Sequence, residues 1–180
     1  MWPEMTGCRA LLALVVAAPI ALTDCGWTSL YADLESGPAS EELRAIHVDP
    51  ISERTGQRLE IALRNSLNST GEPSSERYRL RTTLASYLTN LGIQSQGLAT
   101  LGKVDVYATY YLIDIQNGNS LLSGTAHVAN SFELSSNQYS TVVGEDDAAV
   151  RSVAELNQEI VTRLTLFMQR HLAEKGSKPG

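Results

Sequence analysis

The middle of the chain alternates between apolar and polar positions with a period of two, the pattern of half-buried strands. The alternation is clearest from Arg77 and predicts a strand that reaches about Leu88. One side carries Tyr78, Leu80, Thr82 and Leu84, and the other carries Arg77, Arg79, Arg81 and Thr83. The alternation therefore predicts a strand with one apolar face and one cationic face.

Further strands are predicted on both sides of this one. Residues 103–115 are rich in β-branched and aromatic residues, and residues 121–134 form a third long strand. Asn117-Gly118 between them is a strong hairpin signal. A Ser/Gln/Gly-rich stretch at 92–102 predicts a loop, and residues 43–48 form a short strand that ends at Asp49-Pro50. The side chains of the second and third long strands cannot be assigned to faces, because the register depends on the hairpin loop length.

Apolar residues at three- and four-residue spacing predict two helices. The first covers 53–69 and stops before Gly71 and Pro73. The second covers 146–174, about 43 Å at 1.5 Å per residue, after a polar turn at 135–141. Three acids at 145–147 lie at its predicted start, where they complement the positive end of the helix dipole.

This order of elements predicts an α+β fold. Two helices with apolar stripes cover a mixed four-stranded sheet, made of one short strand and three long antiparallel strands, in a two-layer sandwich. The short strand can pair parallel to a neighbour at one side of the sheet. A single domain is expected over residues 43–175, followed by a flexible tail at 176–180.

The chain begins with an apolar run at 10–22, preceded by Arg9. The run is too short to span a bilayer comfortably and is typical of a secretory signal. Leu22, Thr23 and Cys25 occupy the places of a bacterial lipoprotein box, although Asp24 stands where a small neutral residue is usual. We therefore expect a signal peptide at 1–24, a lipidated Cys25, and an N-terminal linker at 25–42. An ordinary cleaved signal, an uncleaved anchor and a mis-assigned start codon are the alternatives.

The charge and cysteine content of the chain limit the kinds of partner and bond that are expected. The formal net charge of −6 argues against nucleic acid, because phosphate binding needs dense Lys and Arg. Both cysteines lie in or beside the signal, so the domain is expected to hold no internal disulfide. No second apolar stretch approaches membrane-spanning length.

The cationic face of the first long strand is the clearest candidate for chemistry. Arg77, Arg79 and Arg81 are about 6.6 Å apart in turn, and arginine binds phosphate through paired hydrogen bonds. Lys103, at the start of the next strand, is a candidate for the same patch. Alternatively, these charges form a solvated face that prevents edge-to-edge aggregation.

The remaining polar residues predict no catalysis. His47, His127 and His171 lie on separate elements without metal-ligand spacing. Asp146 and Asp147 are explained by a helix N-terminus. The sequence contains neither a nucleophile-elbow nor a phosphate-loop pattern. We therefore expect a protein that is not an enzyme and holds no cofactor or metal.

Four stretches, which together cover most of the expected mature chain, carry a resemblance to a known family. They are Cys25 to Tyr31, Ile51 to Leu59, Tyr107 to Gly118, and Ser136 to Ser140 with the following Asp146 to Ala149. The third contains the hairpin signal, and the fourth ends at the head of the predicted last helix. In their order and spacing these stretches resemble LptE, the lipopolysaccharide-assembly lipoprotein, in its alphaproteobacterial form.

The resemblance implies an outer-membrane lipoprotein on the periplasmic side, anchored through its N-terminal lipid. LptE proteins sit as a plug inside the β-barrel LptD, help it fold, and assist delivery of lipopolysaccharide. Arg77, Arg79, Arg81 and Lys103 would then contact lipopolysaccharide. The alternative is another periplasm-facing envelope lipoprotein, either an auxiliary subunit of a transporter or an activator of peptidoglycan synthesis.

Overall fold

A computed structural model describes residues 38–68, 71, 73, 75–93 and 99–176. Cys25 and the rest of the expected signal and anchor lie outside these residues. The described elements are three helices and four strands. In chain order they are α1 (Pro38–Arg44), β1 (Ile46–Val48), α2 (Arg54–Leu67), β2 (Tyr78–Ile93), β3 (Ala99–Asp114), β4 (Ser120–Glu133) and α3 (Gln138–Gly176).

The strands form one mixed sheet in the order β1-β2-β3-β4. The short β1 pairs parallel with β2, with His47 opposite Arg79. The three long strands are antiparallel neighbours, as their short connections require. The predicted α+β class, the mixed four-stranded sheet and the parallel first strand are therefore confirmed.

All three helices pack on the same face of the sheet in the described part of the chain. Strand alternation places every second side chain under them, and the core lies between the two layers. Its fully buried members come from both layers: Leu59 and Leu63 of α2, Leu80 of β2, Val106, Tyr110 and Leu112 of β3, and Leu156, Ile160, Leu164 and Met168 of α3.

The N-terminal boundary of the domain lies earlier than the sequence predicts. Residues 38–42, expected to belong to a linker, form most of α1. Proline is well tolerated in the first helical turn, so Pro38 begins this helix instead of interrupting regular secondary structure. Ala39 and Leu43 are buried in the core, which makes α1 a third helix of the domain.

The last helix also begins earlier than predicted, at Gln138 instead of residue 146. Its 39 residues span about 58 Å. Asp146 and Asp147 consequently lie more than two turns inside the helix, and the prediction that they occupy its N-terminus is wrong. Asn137 explains the earlier start, because its Oδ1 accepts the backbone N–H of Tyr139 at 3.0 Å.

The hairpin between β3 and β4 turns at the predicted dipeptide. Gly118 has a φ of 71°, a conformation that glycine adopts easily. Asp114 organises the turn, since its Oδ1 accepts the N–H of Gln116 at 2.8 Å and its Oδ2 accepts the Asn117 side chain at 3.0 Å. The stretch predicted as a loop at 92–102 is mostly strand, because β2 runs to Ile93 and β3 begins at Ala99.

One glycine of β4 permits a close packing contact in the core. Gly124 lies opposite Tyr110 of β3, and a Cβ added to it would be 2.5 Å from the tyrosine hydroxyl oxygen. Tyr110 is only 1% exposed, so its ring occupies the space that a side chain at 124 would need. Within the described residues, no helix has both the length and the apolar character needed to cross a membrane.

Candidate functional site

The second face of the sheet is covered by no described helix. Its side chains come from the odd-numbered positions of the three long strands, and most of them are exposed. The face therefore presents basic, aromatic and hydroxyl groups to the surroundings, in agreement with the predicted cationic side of β2. Its members include Arg79, Arg81 and Tyr87 of β2, Lys103, Asp105, Tyr107 and Tyr111 of β3, and Thr125 and His127 of β4.

Two of the predicted arginines meet at one carboxylate. Asp49, directly after β1, lies with its Oδ1 3.5 Å from Arg79 Nε and its Oδ2 3.3 Å from Arg81 Nε. The Arg79 contact is an ion pair without hydrogen-bond alignment, since its Nε has no hydrogen-bond partner among the residues that the structure describes. The Arg81 side chain remains 58% exposed and the Asp49 side chain only 20%. This group, which we call the arginine pair, carries a net charge of +1.

Arg77 does not belong to the arginine pair. Its Nη1 lies 2.9 Å from Glu42 Oε1 of α1, a carboxylate that is 15% exposed. Burial, followed by a hydrogen bond to the same Glu42, raises the pKa of Tyr78 to about 12. Arg77 therefore joins α1 to the start of β2, a structural role that leaves its charge neutralised.

Lys103 lies at the far end of the same face. It pairs across the strands with Thr89, eight residues beyond Arg81, which is about 26 Å along the sheet. Its Nζ contacts Asp105 Oδ2 at 2.8 Å. The expectation that Lys103 joins the arginine patch is therefore wrong, because the antiparallel register carries it away.

A second polar group, the Asp105 cluster, surrounds that lysine and consists of Lys103, Asp105, Tyr107 and His127. His127 Nε2 lies 3.1 Å from Asp105 Oδ1, and its ring stacks on Tyr107 at 4.2 Å between centroids. The hydrogen bond from Lys103, and secondarily that from His127, holds the pKa of Asp105 below its ordinary value. Tyr87 meets Tyr107 edge-on at 6.0 Å, so an aromatic row crosses the three long strands.

The histidines are not brought together. His47 Nδ1 lies 3.0 Å from Glu76 Oε1, and His171 stacks on Phe167 at the far end of α3. Across residues 38–68, 71, 73, 75–93 and 99–176, no set of three or more metal-ligating side chains converges.

Asp146 of α3 and Arg58 of α2 form a bidentate salt bridge. The Arg58 Nη1 and Nη2 atoms donate to the two Asp146 oxygens at 2.9 and 3.1 Å. This hydrogen bonding lowers the pKa of Asp146 below its ordinary value. Asp146 is thus a structural residue that joins two helices, and Asp147 pairs with Arg151 one turn further along.

The sequence alone does not identify the carboxylates that organise this face. The local pattern marks Asp49 as the end of a strand and assigns no role to Asp105. A signal for Asp105 did exist, since Lys103, Asp105 and Tyr107 alternate and must share one face of a strand. No comparable signal marked Asp49, because its contacts depend on how β1 docks beside β2.

No family model matches this chain, and no curated protein matches its sequence. Solved structures do share its fold. A candidate lipoprotein of Caulobacter crescentus CB15 superposes with a TM-score of 0.60 at 19% identity, over 73% of this chain and 97% of that one. A minor lipoprotein of Acinetobacter baumannii gives 0.55 at 18% identity, over 67% and 90%. Lipoprotein B of Nitrosomonas europaea gives 0.53 at 13% identity, over 72% and 85%. At these identities the likeness establishes the fold.

Proposed function

We propose that this protein is a lipid-anchored envelope protein of the LptE type, the plug and assembly partner of an LptD β-barrel in lipopolysaccharide transport. The observation that carries the proposal is the shared fold. Each of the three solved structures compared above is described as a lipoprotein, and the first is covered over 97% of its length. The lipoprotein box that ends at Cys25 independently supports the lipid anchor, and the four stretches that resemble LptE support the more specific role.

The two-layer architecture suits a protein that acts by contact. Three helices cover one face of the sheet, and the other face leaves its polar and aromatic side chains available to a partner. In the proposed role, this body occupies the lumen of the barrel, and the lipid on Cys25 holds it at the periplasmic side of the outer membrane. Proteins that act in this way need shape and complementary charge but no catalytic group.

The arginine pair is the proposed contact for lipopolysaccharide phosphates. Two guanidinium groups share one carboxylate, which leaves one positive charge uncompensated on an exposed surface. Arginine matches phosphate oxygens through its planar pair of N–H donors. The proposed contact does not include Arg77 and Lys103, because each pairs with its own carboxylate away from the arginine pair.

Co-purification tests the central part of the proposal, the binding of an LptD-type barrel. We expect an LptD-type barrel to co-purify with the full-length protein in mild detergent, and depletion of the protein to reduce surface lipopolysaccharide. Cells that instead show defects in solute uptake or wall growth, with no barrel bound, would favour a different envelope lipoprotein. Mass spectrometry of the mature N-terminus tests the lipid on Cys25 separately.

Charge reversal tests the phosphate contact. The double variant Arg79→Glu with Arg81→Glu should weaken lipopolysaccharide binding by at least tenfold, because it replaces two cations with two anions at the contact. Arg170→Glu, on an exposed part of α3, is the charge control and should leave binding within about twofold. Equal losses in the two proteins would remove the arginine pair from the site.

A further inference from the structure

The sheet has two edges, and the edge formed by β4 is protected. Unpaired strand edges are templates for pairing with another chain unless something blocks them. Arg163 Nη1 of α3 donates to the Thr125 carbonyl oxygen at 3.1 Å, and Arg151 Nη2 donates to the Ser131 carbonyl oxygen at 3.2 Å. Two charged side chains therefore occupy carbonyls that an added strand would need.

Within the described part of the chain, the opposite edge is blocked only at one end. The short β1 pairs with β2 as far as Leu80, whose carbonyl oxygen accepts the backbone N–H of Asp49 at 2.9 Å. The chain then turns away at Pro50 and leaves a groove of about 400 Å³ lined by the 49–53 turn and by residues 81–84 of β2. Among the described residues, no strand pairs with this side of β2 beyond that point.

The hydrogen bonds at the start of β2 determine which of its backbone N–H and C=O groups face the free edge. Tyr78 and Leu80 bond to the β1 side, whereas the Arg77 carbonyl oxygen accepts from Ile115 on the β3 side. Because the direction of the backbone groups alternates along a strand, Leu84, Ser86, Leu88 and Asn90 present their N–H and C=O groups to the free edge. These groups are the ones that an added strand would bond.

The composition of this edge indicates what can pair with it. Residues 82–93 contain no charged side chain, unlike the protected edge. Tyr87 and Leu88 are 59% and 54% exposed, so the strand presents a large side chain on each of its two faces. An uncharged strand meets no like-charge repulsion when it lies beside an identical strand.

We propose that the free edge of β2 pairs with the same edge of a second copy of this chain. The two strands run antiparallel about a twofold axis at Leu88, which joins the two sheets into one. A twofold contact of this kind uses the same surface on both copies and is closed, so it forms a dimer and not a fibre.

This register pairs the edge-facing backbone groups of Ser86, Leu88 and Asn90 in both copies. Leu88 lies opposite Leu88 of the second copy in a pair that exchanges both backbone hydrogen bonds, with Cα atoms about 5.5 Å apart. Ser86 lies opposite Asn90 in the same way. The two Leu88 side chains meet on the helix side of the joined sheet, and Tyr87 lies beside Thr89 of the second copy on the uncovered face. The pairing thus covers both large exposed residues of the strand.

Cysteine cross-linking tests the twofold axis directly. In envelopes of cells that make the full chain, Leu88→Cys should form a disulfide-linked product of twice the monomer mass after treatment with oxidised glutathione, because its Cα separation suits a disulfide. Ile61→Cys is the control, since this residue is similarly exposed but lies on α2, outside the paired strand. A product of another mass, or equal products from both variants, would overturn self-pairing.

A matched pair of prolines tests the backbone order. Ser86→Pro removes an N–H that faces the free edge, so the monomer should keep its melting temperature while the cross-link at position 88 falls by at least tenfold. Ala85→Pro removes an N–H of the β2–β3 ladder and should lower the melting temperature itself. A cross-link that survives Ser86→Pro would refute the register.

This inference does not depend on the proposed function. A dimer without a barrel partner would leave the self-pairing intact and remove the LptE role. Barrel binding with no cross-link at position 88 would do the reverse.

Discussion

Replacing Asp49 by Asn separates the two roles open to the arginine pair. The substitution removes the carboxylate that Arg79 and Arg81 share and keeps the size of the side chain. The Asp49 backbone N–H still donates to Leu80, so β1 remains in register. If the arginines bind phosphate, the lost carboxylate was competing with the ligand, and we expect affinity to rise. If they only stabilise the docking of β1, stability alone should fall.

The expected sizes follow from the geometry. A phosphate held by both guanidinium groups would lie about 7 Å from the Asp49 carboxylate. The repulsion between the phosphate and the carboxylate is about 0.6 kcal/mol at a dielectric constant of about 80 and about 1.2 kcal/mol at about 40. Its removal corresponds to a rise in affinity of about three- to eightfold. The two lost ion pairs are partly exposed, so each should cost about 0.5 to 1 kcal/mol of unfolding free energy. The melting temperature should then fall by about 2 to 8 °C.

Two measurements on one protein preparation decide between the roles. Lipopolysaccharide binding is measured by titration at low and high salt, and the melting temperature by circular dichroism. We expect tighter binding at low salt and a smaller gain at high salt, because the repulsion is screened. Unchanged or weaker binding by a folded Asp49→Asn protein would refute phosphate recognition by the arginine pair.

Three further predictions concern the body of the protein. Gly124→Ala should lower stability by about 1 to 3 kcal/mol in chemical denaturation, because its Cβ would be 2.5 Å from the Tyr110 hydroxyl oxygen. Asp146→Asn should lower the melting temperature near pH 6 but not near pH 2. Arg58 keeps the folded-state pKa of Asp146 below its unfolded-state value, so the stabilisation is complete above about pH 4 and is lost as the pH falls. Arg163→Ala should speed aggregation on mild heating, measured by light scattering, because it frees a carbonyl of the β4 edge.

Each of these predictions has a matched control. Gly118→Ala introduces a residue at a positive φ in open space and should cost only about 1 kcal/mol, so a larger loss there than at Gly124 would contradict the packing argument. Asp147→Asn removes a carboxylate that pairs with Arg151 of the same helix, so it should lower the melting temperature near pH 6 by less than Asp146→Asn does. Arg170→Ala removes a cation that bonds within its own helix; equally fast aggregation would show that the edge is not the cause.

Local patterns predicted most of the fold. The period-two alternation of β2 and the Asn117-Gly118 turn placed the sheet and its hairpin, because these signals are carried by adjacent residues. The prediction for the start of α3 was wrong because the acids at 145–147 are typical of a helix N-terminus, whereas here they lie inside the helix. The helix α1 was missed because seven residues give too few turns for a period to be recognised.

The candidate site was predicted only in part. Alternation alone put Arg79 and Arg81 on one face of β2, and the structure confirms that placement. Their shared partner and the separation of Lys103 depend on strand order and register, which link residues distant in sequence. Asp49 reaches the pair only because β1 docks in parallel beside β2, and no local pattern encodes that contact.

The brevity of β1 has a mechanical consequence. Any pull on the chain ahead of Pro38 is transmitted first through α1 and then through a strand of three residues, held to its neighbour by a few backbone bonds and the Asp49 ion pairs. The long antiparallel strands share their load over many more bonds. Under tension from that end, α1 and β1 should detach together while the three long antiparallel strands stay folded. The domain would then lengthen at its N-terminal segment before its sheet unfolds.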